Sequence, residues 1–396
     1  MRRLDEGRAA YPVGILPYFV CNYMCSATYT TYYSNYLVSQ GISAEEIGSI
    51  MALAPLVGLL MQPVWGAAAD RMKWKNTVLA ILTAGTTLAL LAGGFVRSTL
   101  WAYAVVCSYS FFCTSISPMM ETIALEALEK GRYNFGPVRM TGTIAYALTA
   151  PLVGFALADN YRLVPFFAAL FMGLGLLALL CMPRVEGHQH GRRERVSAAR
   201  LLKNRQLMLM MAFTVVLMLG MSHYNTYFSL YFQQLGADSS QLGLSFFLAG
   251  AGEVPFLLMG DRLFRRLGVG RLLLISAAAM ALRMLLIGVS TDLTFVLLTQ
   301  LLHGLCYIVL SFAMAKFVNL VVPGELKASG QMLLAVVGFG LARSAGAWIS
   351  GLLVRSVGMR APFFLSAGVC ALGLVAFGAL ILHSPELKNA GREADL

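Results

Sequence analysis

The chain has 396 residues, 58% hydrophobic and 12% charged, with a mean hydropathy of +0.71 and a formal net charge of +11. Soluble domains carry roughly a quarter charged residues, so this composition excludes the soluble and disordered classes and describes a protein built for the bilayer. The surplus positive charge does not by itself point to nucleic acid, because in a membrane chain its distribution along the sequence has to be read first.

In chain order, apolar runs long enough to span a bilayer, about 17 to 25 residues each, fall near 12–38, 47–69, 76–96, 99–125, 138–158 and 163–183. After a polar, basic stretch they resume near 207–232, 242–260, 271–290, 293–322, 329–354 and 361–383. The expectation is an all-α membrane protein with twelve transmembrane helices, since a barrel would show short alternating segments instead. Met1-Arg2-Arg3 ahead of the first run, with no small-residue cleavage pattern after it, reads as a retained first span. The expected organisation is a six-helix bundle over 1–183, a cytoplasmic basic linker over 184–206, a second six-helix bundle over 207–384 and a cytoplasmic tail over 385–396. With the N-terminus inside, the basic residues of the termini, the linker and the 71–75, 130–132 and 262–271 segments all lie in the cytoplasm, and only Arg97, Arg162, Arg355 and Arg360 lie outside. This asymmetry predicts cytoplasmic termini in the cytoplasmic membrane and explains the charge without a nucleic-acid partner.

The two halves repeat each other. TYTTYYSNYLVSQGISAEEIG, residues 28–48, returns without a gap as HYNTYFSLYFQQLGADSSQLG, residues 223–243, and keeps Tyr29/Tyr224, Thr31/Thr226, Tyr32/Tyr227, Ser34/Ser229, Tyr36/Tyr231, Gly41/Gly236 and Gly48/Gly243. A second echo pairs Asp70-Arg71 with Asp261-Arg262 at nearly the same offset. The pattern predicts two pseudo-symmetric bundles from a duplicated unit. In each copy the aromatics recur at i, i+3, i+4 and i+7, along one helical face. Tyr29, Tyr32, Tyr224 and Tyr227 are therefore candidates for a hydroxyl-rich solute lining, with helix packing as the competing reading.

Ionisable side chains deep in a bilayer cost at least a few kcal/mol and usually face a cavity or one another. Glu253, Arg283, His303 and Arg343 fall near the middle of spans eight to eleven and are expected to share one site. A structural ion pair of Glu253 with Arg283 or Arg343 is the alternative. Glu121 and Arg139 lie on spans four and five, where either could instead be a membrane-edge residue, and Lys316 reads as a snorkelling side chain. His223 fits a packing role at least as well as a chemical one. All seven cysteines lie within or at the ends of apolar spans, without C-x-x-C or histidines at ligand spacing, so neither a metal nor a disulfide is expected. No G-x-x-x-x-G-K-S/T loop or G-x-S-x-G elbow is present, so no cofactor and no enzymatic activity are expected.

GAAADRMKWK, residues 66–75, resembles the loop motif between helices two and three of the major facilitator superfamily, and MGDRLFRRLG is a weaker second copy. The resemblance implies the major facilitator fold and a gating role for Gly66, Asp70, Arg71, Asp261 and Arg262. QPVWG (62–66), NFGPVRMTG (134–142), GEVP (252–255) and LLHGLCY (301–307) resemble the branch holding the oligosaccharide:proton symporters, phenylpropionate permeases and nucleoside:proton symporters. That likeness implies solute binding by Glu121, Arg139 and Tyr146, and a coupling region at Glu253, Arg283 and His303. The branch's proton-carrying carboxylate of helix ten falls on Cys306 and a neighbouring lysine on Gln300. Glu253 is then the remaining mid-membrane carboxylate of the second half and the candidate carrier of the coupling proton.

The expected function is alternating-access transport of a sugar, nucleoside or aromatic acid by proton symport, with the protein working as a monomer. Proton-coupled efflux is the alternative, prompted by Ala150-Pro151-Leu152-Val153-Gly154, which partly resembles the superfamily's antiporter motif. A proline kink explains that sequence equally well. A sensor or assembly factor on the same scaffold is a third reading, and the mid-membrane charges argue against it.

Overall fold

The computed structural model describes residues 12–129, 133, 135–186, 198–323 and 326–384. Residues 187–197 of the expected basic linker and the whole of the expected tail over 385–396 lie outside the described residues. Within them, α1 (Ile15–Ser39), α2 (Ala44–Arg71), α3 (Lys75–Gly93), α4 (Thr99–Leu128), α5 (Gly136–Leu157) and α6 (Tyr161–Cys181) form the first series. The second comprises α7 (Arg205–Gln234), α8 (239–267), α9 (269–289), α10 (Leu293–Val321), α11 (Gly330–Val357) and α12 (Ala361–His383). Helices α8 and α9 are continuous except at Gly268, whose φ of 75° and ψ of 165° belong to backbone that glycine alone adopts readily. Among the described residues, ten helical segments are long and apolar enough to cross a membrane, one of them holding both α8 and α9, and α1 adds a 25-residue helix rich in Tyr, Thr and Asn. No strand occurs among the described residues beyond a single bridge between Trp74 and Glu186.

The sequence repeat has a structural cause. Each copy runs from a helix through a left-handed glycine, Gly41 at φ 83° or Gly236 at φ 98°, into a reciprocal cap on the next helix. In the first copy the Ser43 backbone N–H donates to Glu46 at 2.9 Å and the Glu46 N–H donates to the Ser43 hydroxyl at 3.3 Å. In the second, Asp238 and Gln241 make the same exchange at 3.1 and 2.7 Å. Such capping boxes satisfy two N–H groups that a helix start otherwise leaves bare. The tyrosines recur for a related reason. Tyr36 donates to the Gly93 carbonyl at 2.5 Å, and its counterpart Tyr231 donates to Ile287 at 3.4 Å, so the first helix of each half is pinned to the third.

The chain divides into two compact units, Met1–Ile42 with Leu56–Arg192, and Ser43–Pro55 with Arg193–Leu396. The beginning of α2 is thus grouped with the second unit, which differs from a boundary drawn at the linker. It is held there by close backbone approach and by polar ties. A Cβ on Gly48 would lie 2.8 Å from the Gly351 Cα, Tyr227 donates to the Ala44 carbonyl at 2.6 Å, and Arg355 pairs with Glu45 at 3.2 Å. In the first unit the core gathers around Tyr18, Phe19, Leu79, Leu82, Met120, Ile123 and Met172. There the QPVWG segment ties α2 to α4, Trp65 donating to the Phe111 carbonyl at 2.9 Å and Gln62 to that of Thr114 at 3.2 Å.

Candidate functional site

The first unit holds a polar cluster built by helical spacing. Tyr23, Ser26 and Thr30 lie on one face of α1, Arg139, Thr143 and Tyr146 on one face of α5, and Glu121 reaches in from α4. The Arg139 Nε is 3.5 Å from the Glu121 carboxylate and its guanidinium lies 4.8 Å from the centre of the Tyr23 ring. The close fit at that crossing comes from Gly142, where any side chain would run into Tyr23. Thr30 donates to the Ser26 carbonyl at 2.8 Å, so the 2.8 Å contact between Thr30 and Tyr146 is donated by the tyrosine. Glu121 and Arg139 are 35% and 44% exposed, which leaves both able to exchange their partner for a solute hydroxyl or carboxylate.

The expected tyrosine lining divides. Tyr32 is fully buried with its hydroxyl on the Ala150 carbonyl at 2.6 Å, and Tyr227 is fully buried on Ala44, both helix-packing arrangements. Tyr29 is sandwiched between Tyr33 and Tyr109, with ring centres 4.4 and 3.9 Å away. Tyr224 belongs to the cluster of the second unit. His223 is buried, donates from Nε2 to the Met359 carbonyl at 2.9 Å and packs edge-on against Phe363, a structural role.

In the second unit, Arg283 is wholly buried on α9. Its Nε donates to the Thr299 carbonyl at 3.1 Å, one terminal nitrogen to the Gln300 amide oxygen at 2.6 Å and the other to Nδ1 of His303 at 3.0 Å. The guanidinium also lies 4.1 Å from the ring centre of Tyr224, whose hydroxyl donates to the same Gln300 oxygen at 2.8 Å. Arginine has no acceptor, so Nδ1 of His303 must accept and the neutral ring carries its proton on Nε2. That nitrogen is 3.5 Å from the Glu253 carboxylate. Three of the four mid-span residues therefore form one line, Glu253 to His303 to Arg283, with a neutral imidazole between carboxylate and guanidinium. His303 thus lies between the two charges, in contact with each. Arg343 stands apart, exposed on α11 and without an ion pair among the described residues.

Two features bring Glu253 and His303 together. Gly252 and Gly304 meet where α8 crosses α10, and a Cβ on Gly304 would lie 2.7 Å from the Glu253 Cα. Only a pair of glycines lets the backbones approach this closely. In addition, α10 leaves regular α geometry at the site, tightening over Gln300–Leu302 and widening into a π-helical turn over Gly304–Ile308. Such turns are rare and concentrate at functional positions. The sequence signals for this crossing are the glycines of GEVP and HGLCY, whereas nothing in the spacing singled out Gln300 or Thr299 as the acceptors that satisfy Arg283.

The residues expected at the gate are placed unevenly. Gly66 has open space around its α-carbon, Arg71 and Arg262 are exposed, and the side chain of Asp70 lies outside the described residues. Asp261 pairs with Lys316 at 2.8 Å, both side chains well exposed. A residue that sequence reasoning passed over is Lys75, 3% exposed and paired with Glu126 of α4, while its backbone N–H donates to Val185 at 2.9 Å.

The MFS_1-like family model matches residues 16–365. The chain belongs to that family. This MFS transporter is 29% identical over 369 residues to the maltose permease of Geobacillus stearothermophilus, covering 89% of each chain. It is 25% identical over 293 residues to the probable 3-phenylpropionic acid transporter of Escherichia coli K12, covering 72% of this chain and 76% of the relative. In fold it is similar to the crystal structure of the nucleoside transporter NupG, with a TM-score of 0.85 at 17% identity over 94% of this chain and 99% of that one. The transporter is thus an integral membrane protein with the major facilitator fold.

Proposed function

We propose that this transporter is a proton:solute symporter of the cytoplasmic membrane, with both termini inside, whose two bundles expose a binding site alternately to each side. The observation that carries the reading is the neutral His303 held between Arg283 and Glu253. With Glu253 ionised, its charge balances the buried guanidinium across one imidazole. With Glu253 protonated, Arg283 keeps only neutral acceptors and the cluster gains a net positive charge. A site with two charge states separated by one proton can bias two conformations differently, which is what coupling requires. Gln300 supports this role, since an amide satisfies Arg283 without supplying a counter-charge. Cys306 is buried behind the cluster, where its backbone carbonyl accepts from Ser276 at 2.5 Å, and it adds no carboxylate.

Solute binding is assigned to Glu121, Arg139 and Tyr146, whose half-exposed carboxylate and guanidinium suit a hydroxylated or carboxylated ring. The relatives named for maltose, 3-phenylpropionic acid and nucleosides bracket that class. Asp70, Arg71, Asp261 and Arg262, at the ends of α2 and α8, are assigned to the cytoplasmic gate. The test is reconstitution in vesicles holding a pH-sensitive dye, with maltose, uridine and 3-phenylpropionate added outside in turn. Solute-driven proton entry that is lost in Glu253→Gln is expected. Proton exit on solute entry would instead mean antiport, and entry that persists in Glu253→Gln would remove Glu253 from the mechanism.

A further inference from the structure

We infer that the second unit carries a binding site for an organic anion with a planar apolar body, and that Arg343 takes its carboxylate. The inference rests on the transport reading only for what the binding is used for. Three observations about α11 carry it. Arg343 lies 13 residues from one end of Gly330–Val357 and 14 from the other, about 20 Å of helix either way. At that depth an arginine facing lipid is costly, and such residues turn toward a wet cavity. The helix itself tells which way it turns. Leu341, Trp348, Ile349 and Leu352, all exposed, recur at i, i+7, i+8 and i+11 and mark the lipid-facing stripe. Arg343 shares its face with Ala347, Ser350 and Val354 at i+4, i+7 and i+11, all buried, on the opposite side. An exposed cation on the protein-facing side of a membrane helix, with no ion pair among the described residues, presents its charge to water or to an anion.

The surroundings define the rest of the ligand. Phe339 lies four residues before Arg343, at the end of a π-helical segment over Leu334–Leu341, and its ring is 6.2 Å from that of Tyr307. Tyr307 in turn stacks on His303 at 5.9 Å, and His303 contacts Glu253 at 3.5 Å. Phe339, Tyr307, His303 and Glu253 are all partly exposed. The strip therefore begins with an exposed cation, continues over aromatic faces and ends at the coupling carboxylate. A carboxylate on Arg343 would lay a ring or chain along Phe339 and Tyr307 and bring its far end toward His303. The charges also fit a shared load. Arg283, Arg343 and an ionised Glu253 sum to one positive charge, and protonating Glu253 makes it two, so proton and anion each favour the other's binding. The charged and titratable groups along this strip are Glu253, His303, Tyr307 and Arg343, with Arg283 and Tyr224 packed against His303 and Cys306 buried behind them.

Binding of 3-phenylpropionate to the full chain in nanodiscs tests the inference without requiring transport, with 3-phenylpropionamide, maltose and uridine as neutral probes. The acid is expected to bind, the amide to bind at least tenfold more weakly, and Arg343→Gln to abolish that difference while melting at the wild-type temperature. Arg343→Lys keeps the charge and should retain most of the discrimination. Binding of the amide equal to that of the acid, undiminished acid binding in Arg343→Gln, or no binding of the acid would each overturn the inference. Two outcomes separate it from the transport reading. Acid binding that depends on Arg343, with neither the acid nor maltose nor uridine driving proton entry in vesicles, would keep the site and remove symport. Proton entry driven by a neutral solute, with acid binding absent or undiminished in Arg343→Gln, would keep symport and remove the anion site.

Discussion

Replacing Gly304 by alanine tests whether backbone approach at the α8/α10 crossing sets the coupling geometry. The new Cβ would lie 2.7 Å from both the Glu253 Cα and the Gly252 carbonyl carbon, and still closer to the Gly252 carbonyl oxygen. Carbon atoms rest comfortably at about 3.5 to 4.0 Å, so the two helices must part by about 1 Å. The Glu253–His303 contact, now 3.5 Å, would then open to about 4.5 Å, outside hydrogen-bond and ion-pair reach. Overpacking of this kind costs about 1 to 3 kcal/mol in stability. The expected result in proteoliposomes is a lower melting temperature, loss of uphill solute accumulation and retention of solute exchange, which needs no proton turnover. Gly368→Ala is the control, because a Cβ there meets nothing within 4 Å. If Gly304→Ala melted and accumulated solute like the wild type, the crossing could not be what holds carboxylate and imidazole together.

The tautomer of His303 yields a second prediction. A glutamine at 303 can accept from Arg283 through its oxygen and donate to Glu253 through its nitrogen, so His303→Gln should still accumulate solute uphill. His303→Leu leaves a guanidinium N–H unpaired at about 1 to 3 kcal/mol and should uncouple transport. Equal failure of both in a proton-uptake assay would make the imidazole itself the carrier. In the first unit, Glu121→Gln removes a charge-assisted contact worth about 1.5 to 3 kcal/mol, so solute KM should rise roughly 10- to 100-fold at an unchanged proton:solute ratio. An unaltered KM in initial-rate uptake would exclude Glu121 from solute contact.

Much of this architecture was legible in the sequence, because it follows from local rules. Apolar length fixed the spans, and the glycine and cap residues at 41–46 and 236–241 fixed where the second helix of each copy begins. The line of Glu253, Arg283 and His303 was legible for a different reason, since polar groups so costly in a bilayer must find one another. What escaped were features set by rotation and close approach. Arg343 has the same depth as Arg283 but belongs to another face of another helix, and depth alone could not separate them. The tyrosines misled in a similar way. Periodicity placed Tyr32 and Tyr227 on one face, but whether a hydroxyl meets solute or the carbonyl of a crossing helix depends on helix separation, which no spacing reports.

The two halves of the sequence keep the duplicated caps and tyrosine pins but have diverged where the chemistry lies. In the first, the Glu121–Arg139 pair is solvent-reachable, so its charges are screened and either group can trade its partner for a solute at modest cost. In the second, Arg283 is wholly enclosed, and any change in its counter-charge is felt in a medium that screens little. A pair that exchanges partners easily suits recognition, whereas a buried cation whose balance hangs on one remote carboxylate suits coupling. Where the resembling symporters carry a helix-ten carboxylate, this chain has the buried Cys306, and the acceptors that Arg283 meets directly are the Thr299 carbonyl, the Gln300 amide and the His303 imidazole. Under the proposed coupling, that neutral set is what would leave the guanidinium sensitive to the protonation of Glu253.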